Sequence, residues 1–517
     1  MSSDQTSTAE SGIGSRVAHN TLLNFLGLAV PLALAFFVMP ILARHLGPAR
    51  FGLLGLAWAI TEYLTLFDLG LGRAIVKFVA DALHHDSDEL SEIVSLSAMA
   101  QLAAGIVGGA AFVLAAPALV HGAFRIPAET TNEAVGVFRV VGISLPAVLL
   151  ISAQRGILEG AQRFDLSTTI KMLSSVASLS IPAIGAVYGA SLPSILLVVL
   201  ASRLVICGLY VFAIRQALPA LHWVRSRSTA LLRRVLSFGS WVMVSNTVTP
   251  LLLYFDRFAL GTIAGLAAVG FYTAPYEGVT RLIMIPVSLI GSLLPALTSI
   301  HARGERERFR ELTSASMRAL MVVMAAPLAL IFVFGPELLR VWLGSQYAEQ
   351  SSTAFRILAV GVFANALACP LFISLYAKNR PDLPAKFHLI ELVIHIPLTV
   401  VLIRSFGIAG AAAAWTTRVT LDMCLLLWAA ARSAESPVFA VAGGQVGRAA
   451  AAILLLLVAL SAGKALAEVS LLAAAVAVIA TMLGFATVSW SWVLRDPERT
   501  AVTGMLRTYR RGLLTFP

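Results

Sequence analysis

Residues 46–80 read LGPARFGLLGLAWAITEYLTLFDLGLGRAIVKFVA. After the Gly47–Pro48 turn the chain stays largely apolar from Gly52 to Phe78. A bilayer crossing takes about 20 such residues, so this run is long enough to span. Charges gather towards its end: Asp68, then Arg73 and Lys77, which are four apart and share a helical face.

The same pattern fills the rest of the chain. Of 517 residues 58% are apolar and 13% charged, and mean hydropathy is +0.86. An average soluble domain has roughly a quarter of its residues charged, so too little polar surface is available to cover soluble domains. Apolar windows fall at about 20–42, 52–78, 92–119, 134–157, 167–188, 191–214, 235–261, 269–300, 313–335, 353–377, 384–403, 407–431, 446–463 and 469–494. The expected fold class is an all-α integral membrane protein with about 14 transmembrane helices.

Orientation follows from lysine and arginine. With the N-terminus inside, 26 of these residues fall on inner segments and 9 on outer ones. The excess predicts cytoplasmic termini and an even number of spans. Residues 1–15 (MSSDQTSTAESGIGS) lack the basic start of a secretory signal and read as a disordered cytoplasmic tail. Residues 215–234 read as a cytoplasmic linker and 495–517 as a basic cytoplasmic tail. No loop is long enough to house a catalytic domain.

A shift of 218 residues produces a weak self-match. Gly47 lies over Gly265, and Arg50–Phe51–Gly52–Leu53–Leu54 over Ala268–Val269–Gly270–Phe271–Tyr272. The shift equals six spans, so the copies share orientation. Two parallel six-helix bundles are expected, 16–214 and 235–432, followed by two additional C-terminal helices in 433–494.

Charged side chains inside spans are costly and usually face a cavity or a partner. Besides Arg73 and Lys77, the candidates are Asp256–Arg257 in span 7, Tyr272, Tyr276, Glu277 and Arg281 in span 8, and Arg418 and Asp422 in span 12. Glu277–Arg281 and Arg418–Asp422 have i, i+4 spacing, which equally suits intrahelical ion pairs. Arg155, Arg163 and Lys171 sit near the inner interface, where long side chains can snorkel. Arginine and lysine are natural partners of a pyrophosphate, and the two tyrosines suit either sugar faces or interhelical packing. Glu391 and His395 share a face of span 11, a pairing that suits a coupling proton or a structural bond.

Other chemistries find no support. Cys207, Cys369 and Cys424 lie in apolar stretches without metal-ligand spacing. No phosphate-binding G-x-x-x-x-G-K-[ST] loop, H-E-x-x-H or G-x-S-x-G occurs, and Asp86–Ser87–Asp88 reads as a solvated charge run. The net charge of +11 fits basic inner loops and an anionic ligand better than nucleic acid. No cofactor, metal or enzymatic activity is expected, and a proton or sodium gradient is compatible with the Glu391–His395 pair.

Residues 46–80 resemble the opening of bacterial Wzx-type polysaccharide and O-antigen flippases, members of the multidrug/oligosaccharidyl-lipid/polysaccharide exporter superfamily. GILEGAQRFDL (156–166), FDRFALGTIAGLAAVGFYTAPYEGVTRL (255–282) and FGIAGAAAAWTTRVTLDMCLLLW (406–428) are also similar to that family. The resemblance covers roughly residues 15–435. It implies a multi-pass protein of the bacterial plasma (inner) membrane that translocates an undecaprenyl-pyrophosphate-linked oligosaccharide from inner to outer leaflet by alternating access, for polysaccharide export. A cationic cavity would involve Arg73, Asp256, Arg257, Arg281 and Arg418. Membrane lipids, a polysaccharide polymerase and chain-length machinery are the implied partners. A lipid II (peptidoglycan precursor) flippase and an ion-coupled multidrug antiporter of the same superfamily are the alternatives.

Overall fold

The structure, a computed structural model, describes residues 4–68, 71–82, 87–224, 251–432, 445–466, 471–496, 499, 500 and 503. Every regular element among them is helical. Ten described helices are long and apolar enough to cross a membrane. One of them, Asp382–Arg432, holds two of the expected spans on either side of a bend at Gly407. Residues 235–250 of the seventh window, the 225–234 part of the linker and most of the basic tail lie outside the described residues.

The chain forms two compact units, 1–274 and 275–517. In the first, α1 (Asp4–Leu64) changes direction at Gly47, where φ is 70°. It begins at Asp4, inside the segment read as a disordered tail. Once a helix is nucleated by its apolar body, adding polar turns at its end costs no second nucleation. The second span is broken: a 3-10 turn at Thr65–Asp68 separates α1 from α2 (Leu71–Ala82). The Asp68 carboxylate accepts from the Gly72 N–H at 3.2 Å and from the Gln101 amide. It thus serves the first turn of α2, where N–H groups have no helical partner.

α3 (Ser87–Ala118), α4 (Ala128–Gly160), α5 (Phe164–Val187) and α6 (Leu192–Ala217) follow, then α7 (251–263) and the first part of α8 (Leu266–Thr280). The sequence reading assigns α7 and α8 to the second bundle, whereas the first compact unit extends to Ala274. Leu71, Ile75, Val79, Ile93, Ile157 and Tyr210 form a core among α2, α3, α4 and α6. Gly156 and Gly160 let α4 approach α2 so closely that a Cβ on either would lie 2.8 Å from the Gly72 or Val76 carbonyl. Small residues at four-residue spacing are a standard means of packing helices where lipid supplies no hydrophobic drive.

In the second unit the rest of α8 passes through a 3-10 turn at Arg281–Ile283 to α9 (Met284–Ser288) and α10 (Ile290–Ala302). α11 (Arg306–Trp342), α12 (Ser345–Ala377) and α13 (Asp382–Arg432) pack in sequence. α14 (Gln445–Leu466) lies against α11, and α15 (Leu471–Val488) against α14.

The internal repeat has clear structural counterparts. Gly47 and Gly265 both take positive φ, as do Gly189 and Gly407, and each pair is separated by 218 residues. The eighth span is interrupted by a 3-10 turn, as the second is. Within the first unit the two copies meet through backbone: a Cβ on Gly52 would lie 1.9 Å from the Leu266 carbonyl oxygen, and one on Gly270 2.1 Å from that of Pro48. Pro48 and Leu266 are again 218 apart, so the contact is reciprocal, the mark of a local two-fold relation.

Candidate functional site

Charged groups are buried in both units. In the first, Asp256 and Arg257 on α7 are 1% and 2% exposed, and Tyr272 on α8 is fully buried. The Tyr272 hydroxyl donates to Asp256 Oδ2, and the Arg257 backbone N–H donates to Asp256 Oδ1 at 2.7 Å. The Arg257 guanidinium lies 5.1 Å from the Tyr254 ring centroid and contacts the Leu253 carbonyl oxygen at 3.4 Å. A short turn at Gly265, whose φ of 88° suits glycine, brings Tyr272 back to Asp256. The predicted residues Asp256, Arg257 and Tyr272 therefore come together.

The second cluster lies in the two arms of α13. Arg418 Nη1 donates to Glu391 Oε2 at 3.2 Å, with 9% of the Arg418 side chain and none of Glu391 exposed. His388, Glu391 and Asp422 each offer a ligand atom within 4.8 Å of the others. The Glu391 and Asp422 carboxyl groups lie within hydrogen-bond reach of each other, and Arg418 Nε has no hydrogen-bond partner among the described residues. His395, one turn beyond Glu391, has its Nδ1 3.3 Å from the Thr399 hydroxyl. Residues the sequence reading divides between substrate (Arg418, Asp422) and coupling ion (Glu391, His395) thus occupy one place. The bend at Gly407 folds the arms of α13 together and makes the strong ion pair interhelical.

The remaining candidates stand apart from these clusters. Glu277 and Arg281 form the intrahelical pair their spacing implies, at 2.8 Å. Tyr276 is buried edge-on against Trp415, ring centroids 5.6 Å apart. Lys77 is exposed, its ammonium 6.0 Å from the Phe78 ring centroid. Arg73 lies in the first turn of α2, but its side chain lies outside the described residues.

Three features escaped the sequence reading. His388 joins Glu391 three residues later, a spacing visible in the sequence. Arg203 on α6 donates to the Ser144 hydroxyl at 3.0 Å, a polar contact within a span. Arg50, named above only in the repeat, binds Glu133 at 2.6 Å and the Ala190 carbonyl at 3.2 Å, while Glu133 also accepts from the Leu192 N–H. That knot joins α1, α4 and the α5–α6 loop and needs contacts up to 140 residues apart, which no local pattern reveals.

Comparison with known proteins places the fold. Residues 17–301 match the polysaccharide biosynthesis protein family. The chain belongs to that family. A Shigella flexneri protein named for O-antigen transport is 28% identical over 416 residues, covering 80% of this chain and 97% of its own. The inward-facing form of a multidrug resistance transporter of the MOP superfamily superposes with a TM-score of 0.67 at 15% identity, covering 81% of this chain and 99% of its own. The lipid II flippase MurJ in its inward closed form gives a TM-score of 0.66 at 13% identity over 92% and 100% of the two chains. At such identities these structures establish the shared fold, that of a multi-pass membrane transporter.

Proposed function

We propose that this protein is a flippase that carries an undecaprenyl-pyrophosphate-linked oligosaccharide from the inner to the outer leaflet of the plasma membrane. The observation that carries the reading is the match over nearly the whole length of a relative named for O-antigen transport. Family membership and the superfamily fold support it. The physical task fits such a fold. Sugars and pyrophosphate cannot cross about 30 Å of hydrocarbon unaided, while the polyprenyl tail can remain in lipid. The protein supplies a polar route for the headgroup and exposes it to each side in turn. Both termini lie in the cytoplasm, and the polymerase and chain-length machinery receive the product.

Arg418, Glu391 and Asp422 are the working charges in this reading. One arginine cannot neutralise two neighbouring carboxylates, so the cluster retains the capacity to take up a proton or cation as the transport cycle proceeds. His388 and His395 border it and suit a proton relay. The remaining candidates are assigned to positioning helices or to headgroup contact near the inner interface.

The test is translocation of fluorescent lipid-linked oligosaccharide in proteoliposomes, with fluorescent lipid II as a parallel substrate. Rates above protein-free vesicles for the former are expected. Rates no greater than in those vesicles overturn the proposal, and movement of lipid II alone transfers the function to peptidoglycan precursors.

A further inference from the structure

A cavity of about 370 Å³ opens at one end of the last two spans, remote in sequence from the charges just described. Arg448, in the first turn of α14, lines it from one side. Arg495, Arg499, Asp496, Trp492 and Ser491 line it from the end of α15 and the turn beyond. A π-helical turn at Ser489–Val493 widens the end of that helix. Arg499 is anchored there, its Nη2 donating to the Ser491 carbonyl at 2.6 Å and its Nη1 meeting Asp496 at 3.2 Å. Three arginines against one aspartate leave the lining with a formal charge of +2.

Arg448 is the informative residue. It is exposed and has no acidic partner among the described residues. It also stands at a helix N-terminus, the end at which a cation is disfavoured and an anion favoured. Gathering cationic groups around a cavity against that field is reasonable when an anion is to occupy it.

The surroundings select the kind of anion. Leu454, Leu455 and Val458 on α14 and Val476, Ile479 and Leu483 on α15 are exposed apolar side chains, as expected of faces against acyl chains. Trp490 and Trp492 are partly exposed at the end of the same helix. Tryptophans at the end of a lipid-facing span mark the headgroup level. A phosphate there would have its acyl chains lying along α14 and α15. We propose that this cavity binds the phosphate of an acidic phospholipid headgroup from the adjacent leaflet, a site separate from the transported substrate. Basic pockets at the ends of spans are suited to such headgroups. The inference does not depend on the flippase reading.

The experiment is native mass spectrometry of the full-length protein released from nanodiscs containing equal phosphatidylglycerol and phosphatidylcholine. Wild-type protein should retain phosphatidylglycerol in preference by about tenfold. The Arg448→Gln/Arg499→Gln variant should lose that preference, while Arg448→Lys/Arg499→Lys keeps most of it and Arg404→Gln, at the other end of a different span, leaves it unchanged. Melting temperatures of all variants separate loss of binding from loss of folding. Should the glutamine variant fail to fold, the lysine variant and the wild-type preference still decide. Equal retention of the two lipids by wild type, or an unaltered preference in the glutamine variant, overturns the proposal. Displacement of the lipid by excess inorganic phosphate overturns the lipid source in favour of a soluble phosphate.

Discussion

The charge clusters of the two units differ in how completely they are satisfied. In the first, both carboxylate oxygens of Asp256 are held, one by the Arg257 N–H and the other by the Tyr272 hydroxyl. In the second, two acidic groups, Glu391 and Asp422, face each other and share the one arginine, whose Nε has no partner among the described residues. Buried polar atoms are nearly always hydrogen-bonded, and exceptions call for a reason. A satisfied cluster acts as a joint between helices. An unsatisfied one keeps capacity for something that comes and goes.

The largest effect is therefore expected at Arg418. Arg418→Ala leaves Glu391 and Asp422 side by side without their shared cation. Removing one partner of a buried ion pair costs about 3–5 kcal/mol. The detergent-solubilised variant should unfold at a markedly lower temperature, and its translocation in proteoliposomes should fall to background. A neutral replacement of the whole cluster, Glu391→Gln/Arg418→Met/Asp422→Asn, should regain most of the stability and none of the transport. If that triple variant transports at the wild-type rate, the two clusters do not differ in role.

Tyr272→Phe gives the converse. The ring still packs, but Asp256 loses one of its donors, a loss of about 1–3 kcal/mol for a buried acceptor left unsatisfied. Thermal unfolding should shift while the transport rate of the folded fraction remains within about twofold, the range of an effect below 0.5 kcal/mol. A folded variant that loses transport would move Asp256 from the joint to the working side of the comparison.

These differences were only partly legible in the sequence. Apolar windows long enough to cross a bilayer made the helices readable, because the absence of water inside the membrane leaves few alternatives. The Glu277–Arg281 pair was readable because i, i+4 contacts are local. The partner of Arg418 was not: spacing points to Asp422, whereas the ion pair is made with Glu391, 27 residues earlier. That contact exists because α13 turns at Gly407, and the distance between its arms is a property of the fold. The repeat was visible at Gly47 and Gly265, yet its clearest sequence echo was missed. Arg163–Phe164–Asp165–Leu166 and Arg380–Pro381–Asp382–Leu383 align at a shift of 217, one residue from the shift that aligns the glycines.

That echo supplies the finest comparison between the units. In each, a residue with positive φ precedes the arginine, Gln162 at 58° in one copy and Asn379 at 56° in the other. The following arginine meets the aspartate two residues on, at 2.9 Å in both copies. These ion pairs are largely solvated, so Arg163→Ala and Arg380→Ala should each leave the unfolding temperature almost unchanged. Glycine at the preceding position relieves left-handed strain, but asparagine already tolerates that conformation better than glutamine. Gln162→Gly should therefore raise the unfolding temperature more than Asn379→Gly, by the equivalent of about 1 kcal/mol or less. Equal shifts would mean that the surrounding turns, rather than these two side chains, set the strain. A larger gain at Asn379 would reverse the order that the backbone argument requires.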